Sequence, residues 1–300
     1  MTHLCTLIAD RTTRILTPAT REKAAQVLDR AVEIRELSDH VAYDLTFTPK
    51  DGEDSKQLAE TVRHALDPLP IDVAILPEAG RRKALFLADM DSTMIEQECV
   101  YEMADELGIK DHIAAITERA MRGEIDFEPA LRERVGLLEG LSEAVLDRIF
   151  VERITFTPGG KELLATMKTH GTTSVLVSGG FTHFTQKVAG TLGFDANHAN
   201  QLLVEDGKLT GSVTEPIQGR EAKAAHLEAY AKDRGVDLFA TMAIGDGAND
   251  LGMIELAGLG VAFRAKPAVQ AEADVGINHA DLTAALYLQG YKDCEIDWAD

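Results

Sequence analysis

Cysteine is scarce in this 300-residue chain: Cys5, Cys99 and Cys294 are widely spaced and odd in number. That argues against a disulfide framework or a cysteine-rich zinc site and fits a reducing compartment. No apolar run approaches the roughly 18 residues of a membrane span. The N-terminal stretch MTHLCTLIADRTTR lacks a basic region followed by a long apolar core, so no signal peptide is expected. The chain reads as soluble and cytoplasmic, with no membrane partner. Basic residues are also few, 30 against 50 acidic ones, for a net charge of −20. Nucleic-acid backbones are bound by basic surfaces that release counterions, so a nucleic-acid partner is excluded. A small anionic ligand is not, because a few local donors and a cation reverse the field. The nine histidines, His170, His183 and His279 among them, show no spacing that assigns them a role.

Hydrophobic residues make up 45% of the chain, enough for a sizeable core, and the length favours one large domain plus a smaller one. Residues 1–80 alternate strand-like and helical stretches. Strands are expected at 4–9, 31–37, 41–47 and 71–76, with helices after Pro18 and around Leu58, Val62 and Leu66. That order predicts a small α+β module of the split βαβ, ferredoxin-like kind. A part in homodimerisation or small-molecule sensing stands beside a purely structural one. Residues 77–83, with Gly80 and three basic side chains, read as a linker into a second unit, 81–300.

The second unit opens on Lys83-Ala84-Leu85-Phe86-Leu87-Ala88, a strand buried on both faces, which runs out into Asp89-Met90-Asp91-Ser92-Thr93. Ligands collect beyond the carboxyl ends of parallel strands, where alternation aims Asp89 and Asp91 the same way. Helices then replace the next strand. Ile95, Cys99, Met103 and Leu107 mark one apolar stripe, and Cys99 reads as packing. Further helices carry Ile113 and Ile116 as far as Gly123, then Phe127 to Leu138, then a fourth capped by Ser142. Together they predict a helical cap inserted at about 95–153, able to exclude water from a site beneath it.

Past Thr157-Pro158, read as helix cap and first turn, strands and helices alternate as in a doubly wound parallel sheet. Ser174 to Val177 ends in Ser178-Gly179-Gly180, and Thr241 to Ile244 ends in Gly245-Asp246-Gly247-Ala248-Asn249-Asp250. Asp206-Gly207 marks a hairpin, and Gly260 to Phe263 reads as the last core strand. In a parallel sheet the three polar strand ends face one side and can converge with Lys223, for which Lys208 and Arg220 are neighbouring alternatives. Carboxylates that close together call for a cation, and all-oxygen ligation suits Mg²⁺. Hydroxyl, amide and ammonium donors beside them suit a tetrahedral anion. The combination defines a phosphoryl-transfer site.

DMDST, SGG, a lysine and GDGAND, in this order and with helices after the first, resemble the haloacid-dehalogenase (HAD) superfamily of aspartate-nucleophile phosphatases. ERAMRGEIDFEPALRERV, SGGFTHF and GDGANDLGMIELAGLGVAF narrow the resemblance to its phosphoserine phosphatase family, over roughly the last three quarters of the chain. The resemblance implies a Rossmann-like α/β core with a helical-bundle cap; for residues 1–80 an ACT-like fold is only an analogy. It further implies hydrolysis of O-phosphoserine, with Asp89 as nucleophile and Asp91 as general acid and base. Asp89, Asp246 and the Asp91 carbonyl are the implied Mg²⁺ ligands, with Asp250 behind them. Ser178, Gly179, Lys223 and Asn249 are implied to hold the phosphate. Glu98 is implied to take the substrate ammonium and Arg134 its carboxylate, with Met121 and Phe127 as an apolar wall. Plainer readings exist: Arg134 paired with Glu133 or Glu139 on a solvated face, and Met121 and Phe127 as cap core. A related phosphatase or phosphotransferase is the enzymatic rival, and an amino-acid- or metal-binding regulatory module the non-enzymatic one.

Overall fold

The computed structural model describes residues 2–30, 32–122 and 124–298, the Met121 side chain excepted. Ala31 as a strand start, Gly123 as a helix end and Met121 as a wall residue fall outside what it describes.

The first four strands form one antiparallel sheet, β1 (His3–Ala9), β2 (Glu33–Ser38), β3 (Ala42–Phe47) and β4 (Ile71–Pro77), in the order β2-β3-β1-β4. Helices α1 (Pro18–Leu28) and α2 (Ser55–Ala65) complete the α+β pattern read from the sequence. Thr17 caps α1 through its side chain, with Pro18 in the first turn. Alternation along β1 divides its burial between two cores. Cys5, Leu7 and Ala9 pack with Ala24, Leu28 and Val62 of the two helices. Ile8 points the other way, into the core of the rest of the molecule.

That second face makes the junction much tighter than the linker expected at 77–83. The Arg81 guanidinium meets the buried Asp44 carboxylate of β3 at 2.6 Å, and donates to Thr6 and to the carbonyls of Tyr287 and Leu288. Lys83 is buried and donates to the Phe239 carbonyl at 2.7 Å. Buried Asp72 of β4 accepts the backbone N–H groups of Asn278, His279 and Ala280. Arg81 and Lys83, read from the sequence as linker, are consumed as ties because each finds an acceptor far away in the chain, while Arg82 stays exposed and pairs with Glu295.

Next in order come β5 (Leu85–Ala88) and four helices, α3 (Cys99–Glu106), α4 (Lys110–Met121), α5 (Phe127–Gly136) and α6 (Glu143–Arg153). The chain then alternates α7 (Gly160–Thr169), β6 (Thr173–Phe181), α8 (Thr182–Leu192) and β7 (Ala196–Asn200). A hairpin of β8 (Leu202–Glu205) and β9 (Lys208–Val213) turns at Asp206-Gly207, both at positive φ. The remainder is α9 (Arg220–Arg234), β10 (Thr241–Gly245), α10 (Leu251–Leu256), β11 (Gly260–Phe263), α11 (Pro267–Glu272), β12 (Val275–Ile277) and α12 (Ala284–Leu288).

Six of these strands form a parallel sheet in the order β12-β11-β10-β5-β6-β7. Leu85 and Leu87 of β5 face a core shared with α9, α10 and α11, while Phe86 and Ala88 face the opposite one. From β5 the chain winds outward to β6 and β7, then returns to build β10, β11 and β12 on the other side. The order reverses at β5, and the crevice at such a reversal is where ligands bind.

Several boundaries differ from the expected ones. The chain stays irregular past Ile95, which bridges Phe156, and α3 starts only at Cys99; Leu107 at its end is 40% exposed. Ser142 precedes α6 without a side-chain cap bond and bridges Lys208 instead. Thr157 does not cap α7, which begins at Gly160 after Gly159 at φ 81°. A Cβ on Gly159 would lie 2.6 Å from the Thr283 nitrogen, so close approach of the backbones sets the start. Beyond β11 the sheet gains β12, whose three residues are too few for a sequence pattern.

Candidate active site

The site grows from the end of β5. Leu85 to Ala88 are fully buried, and the Asp89 N–H still bonds the Ile244 carbonyl of β10 at 3.0 Å. Residues 90–94 then make one wide turn, closed by the Ile95 N–H on the Met90 carbonyl, with Asp91 extended and Ser92 at φ 56°. Met90 goes into the core, whereas Asp89 and Asp91 both line a cleft of about 800 Å³. Asp91 is held at both oxygens: one accepts the Cys99 N–H at 2.9 Å, the other the Ser178 hydroxyl at 3.4 Å. Gly180 passes so near that a Cβ there would sit 2.7 Å from the Asp91 carboxylate, hence a glycine.

Lys223 reaches the site from the first turns of α9. It is 2% exposed and donates to Asp89 and Asp250, each at 2.5 Å. Lys208 lies away in the hairpin, and Arg220 pairs with Glu255. Asp250, fully buried, also accepts the N–H groups of Asp246 and Gly247, fixing the loop after β10. Carboxylate oxygens of Asp89, Asp246 and Asp250 come within 4.8 Å of one another.

Burial drives the Asp89 carboxyl well above the usual carboxylate range; Asp250 reinforces the rise and Lys223 opposes it. Asp246 is pushed up to about 6 by burial and by Asp250. Burial also raises Asp91, which its Cys99 and Ser178 donors partly offset. On Lys223, burial works against the charge, yet Asp250 and Asp89 outweigh it and hold the ammonium charged. Crowded anions with one lysine between them retain an electrostatic demand for another cation, and an all-oxygen donor set suits a hard divalent one. The residues present fit a divalent metal site.

The cap side of the cleft carries Glu98, Thr117, Phe127, Leu131 and Arg134. Glu98, just before α3, accepts the Ser92 hydroxyl at 3.0 Å. Burial, then the charges of Asp91 and Asp246, push its carboxyl up to about 7. Arg134 of α5 donates to the Ala130 carbonyl and to Thr117; Glu133 pairs with Arg119 instead. Phe127 seats its ring against Gly179 and Gly219, where added Cβ atoms would each lie 3.0 Å away. Ser178, Gly179 and Asn249 line the opposite wall.

The fold thus brings together all of the expected site residues whose side chains are described. It adds Asn200, whose amide bonds Gly179 and Gln218 and which sequence reasoning passed over. Its strand, Ala196-Asn197-His198-Ala199-Asn200, is polar and unalternating, and nothing in the sequence marked it.

Comparison with known proteins agrees with this geometry. The model of the haloacid dehalogenase-like hydrolases matches residues 86–255. The chain belongs to that family. A probable phosphoserine phosphatase of Schizosaccharomyces pombe is 47% identical over 227 residues, 74% of this chain and 76% of the relative. A HAD-family hydrolase from Salmonella enterica serovar Typhi superposes with a TM-score of 0.84 at 30% identity, covering 96% of this chain and 98% of that one. A phosphoserine phosphatase solved as a phospho-aspartyl intermediate analogue gives 0.65 at 41% identity, over 69% and 98%. Within the family, the chain falls with the phosphoserine phosphatases.

Proposed function

We propose that this chain hydrolyses O-phospho-L-serine to L-serine and phosphate through an aspartyl-phosphate on Asp89. The observation that carries the reading is Asp89 itself, a buried carboxylate at the sheet's switch point with one oxygen on Lys223 and Asp91 beside it. An Asp89 oxygen attacks phosphorus and the bond from phosphorus to the serine oxygen breaks. Asp91, kept protonatable by burial, gives its proton to the departing oxygen. It then takes a proton from water, whose oxygen attacks phosphorus and frees phosphate and the Asp89 carboxylate. The Ser178 hydroxyl, the Gly179 N–H, Lys223 and Asn249 stabilise charge on the phosphoryl oxygens.

Asp89, Asp246 and the Asp91 carbonyl would hold Mg²⁺, with Asp250 orienting them. Bound there, the ion would neutralise the crowded carboxylates and supply Lewis-acid polarisation of the phosphoryl group. Glu98 takes the substrate ammonium and Arg134 its carboxylate, and Phe127 closes the apolar wall. Residues 1–80 are assigned as an N-terminal module, 81–300 as the phosphatase unit and about 95–153 as its cap. For the N-terminal module, homodimerisation or small-molecule sensing stands beside a purely structural part. Phosphate release from phosphoserine should require Mg²⁺, stop with EDTA and vanish in Asp89→Asn. Turnover by Asp89→Asn at the wild-type rate would refute the covalent route.

A further inference from the structure

The β6 strand does not pair evenly with β7. Val177 pairs with His198 and Phe181 with Asn200, so residues 178–180 stand opposite Ala199 alone. The bulge lifts Ser178-Gly179-Gly180 out of the ladder and turns them toward the cleft, at the cost of backbone partners. The Asn200 side chain, 2% exposed, fills that gap: its amide nitrogen donates to the Gly179 carbonyl at 2.9 Å. The same nitrogen donates to the Gln218 carbonyl at 3.2 Å, and its oxygen accepts the Gln218 N–H at 2.7 Å. Gln218 and Gly219 lead directly into α9, which carries Lys223.

We propose that Asn200 is a positioning residue that locks the 178–180 bulge to the entry of α9, so that the Gly179 amide and the Lys223 ammonium approach a phosphoryl group as one rigid unit. The position of Phe127 supports this. Its ring rests on Gly179 and on Gly219, the two segments that Asn200 ties, so the cap closes on the same unit. An asparagine suits the task because one planar amide offers a donor edge and an acceptor together. The Asn200 side chain lies behind the cleft lining and bonds Gly179 and Gln218, so it acts on the phosphoryl end of the site rather than the amino-acid end.

The inference rests on the phosphatase reading, and its test separates the two. Asn200→Ala is assayed on phosphoserine and on p-nitrophenyl phosphate, with orthovanadate as a phosphoryl-site inhibitor. The expected result is a loss of kcat/KM on the order of 10²-fold, equal on both esters, with a parallel rise in the orthovanadate inhibition constant. Asn200→Asp, which keeps the acceptor for the Gln218 N–H and loses the donor to Gly179, should show the same equal loss. A folded Asn200→Ala with both esters unaffected, or with phosphoserine alone affected, overturns the inference while leaving the phosphatase reading intact. Wild-type protein inert toward both esters overturns that reading and this inference with it. Should the variants not fold, hydrogen exchange on the wild type decides. Orthovanadate should slow exchange in 178–180 and 218–223 together, and protection of 178–180 alone overturns the proposal.

Discussion

At the scale of single residues, the site works through charges held where water cannot screen them. Glu98 shows this best, since burial, then the charges of Asp91 and Asp246, push its carboxyl up to about 7. Below that pH it is protonated, neutral and unable to pair with an ammonium; above it the carboxylate is available. KM for phosphoserine should therefore fall as pH rises through about 7, and Glu98→Gln should flatten that change. The substrate phosphate titrates near 6, a change common to both proteins, so the comparison isolates Glu98. On the proposed reading, Arg134→Ala removes a charged partner of the substrate carboxylate, worth about 1.5–3 kcal/mol. Its KM for phosphoserine should rise by roughly tenfold or more, with p-nitrophenyl phosphate little affected. Equal losses on the two esters would place Arg134 outside substrate recognition.

At the scale of elements, backbone paths decide which side chains can meet. The bulged end of β6 brings Gly180 so near Asp91 that Gly180→Ala forces the carboxylate aside. Activity should drop on the order of 10²-fold while the melting temperature shifts by only a few degrees, measurable by turnover and thermal unfolding together. The elements that carry chemistry were also the legible ones. Asp89 follows a wholly apolar run, and Asp246 sits in a Gly-rich turn after another, so strand, end and acid are all written locally. Start points governed by distant contacts were not. α7 begins where Gly159 meets Thr283, and α3 waits for Glu98 to reach the cleft, with no cap residue to announce either. Asn200 escaped notice because its partners lie on a loop and a helix entry, not along its own strand.

At the scale of the whole molecule, the two sheets are joined by buried polar ties between segments remote in sequence. Arg81→Ala would leave the Asp44 carboxylate, 3% exposed, without its counter-charge. Losing one member of a buried pair costs about 3–5 kcal/mol, so thermal or urea unfolding should report a clear loss of stability. An unchanged midpoint would mean that Asp44 is solvated after all. No helix among the described residues is long and apolar enough to cross a membrane. The α+β pattern of the first eighty residues was readable from alternation and spacing, but its attachment was not. Arg81 joins Asp44, 37 residues away, to the Tyr287 carbonyl, 206 residues away, and no window of sequence holds all three.

A consequence follows for anyone dividing the protein. Cutting before residue 81 keeps the guanidinium but discards the carboxylate and hydroxyl that answer it, and it bares the face of α12 on which β1 lay. The shortened unit would carry a guanidinium left with two backbone carbonyls and no counter-charge, over a greasy scar. It should dissolve well only after that arginine is recast as a small polar residue and the uncovered tyrosine and leucines are made hydrophilic.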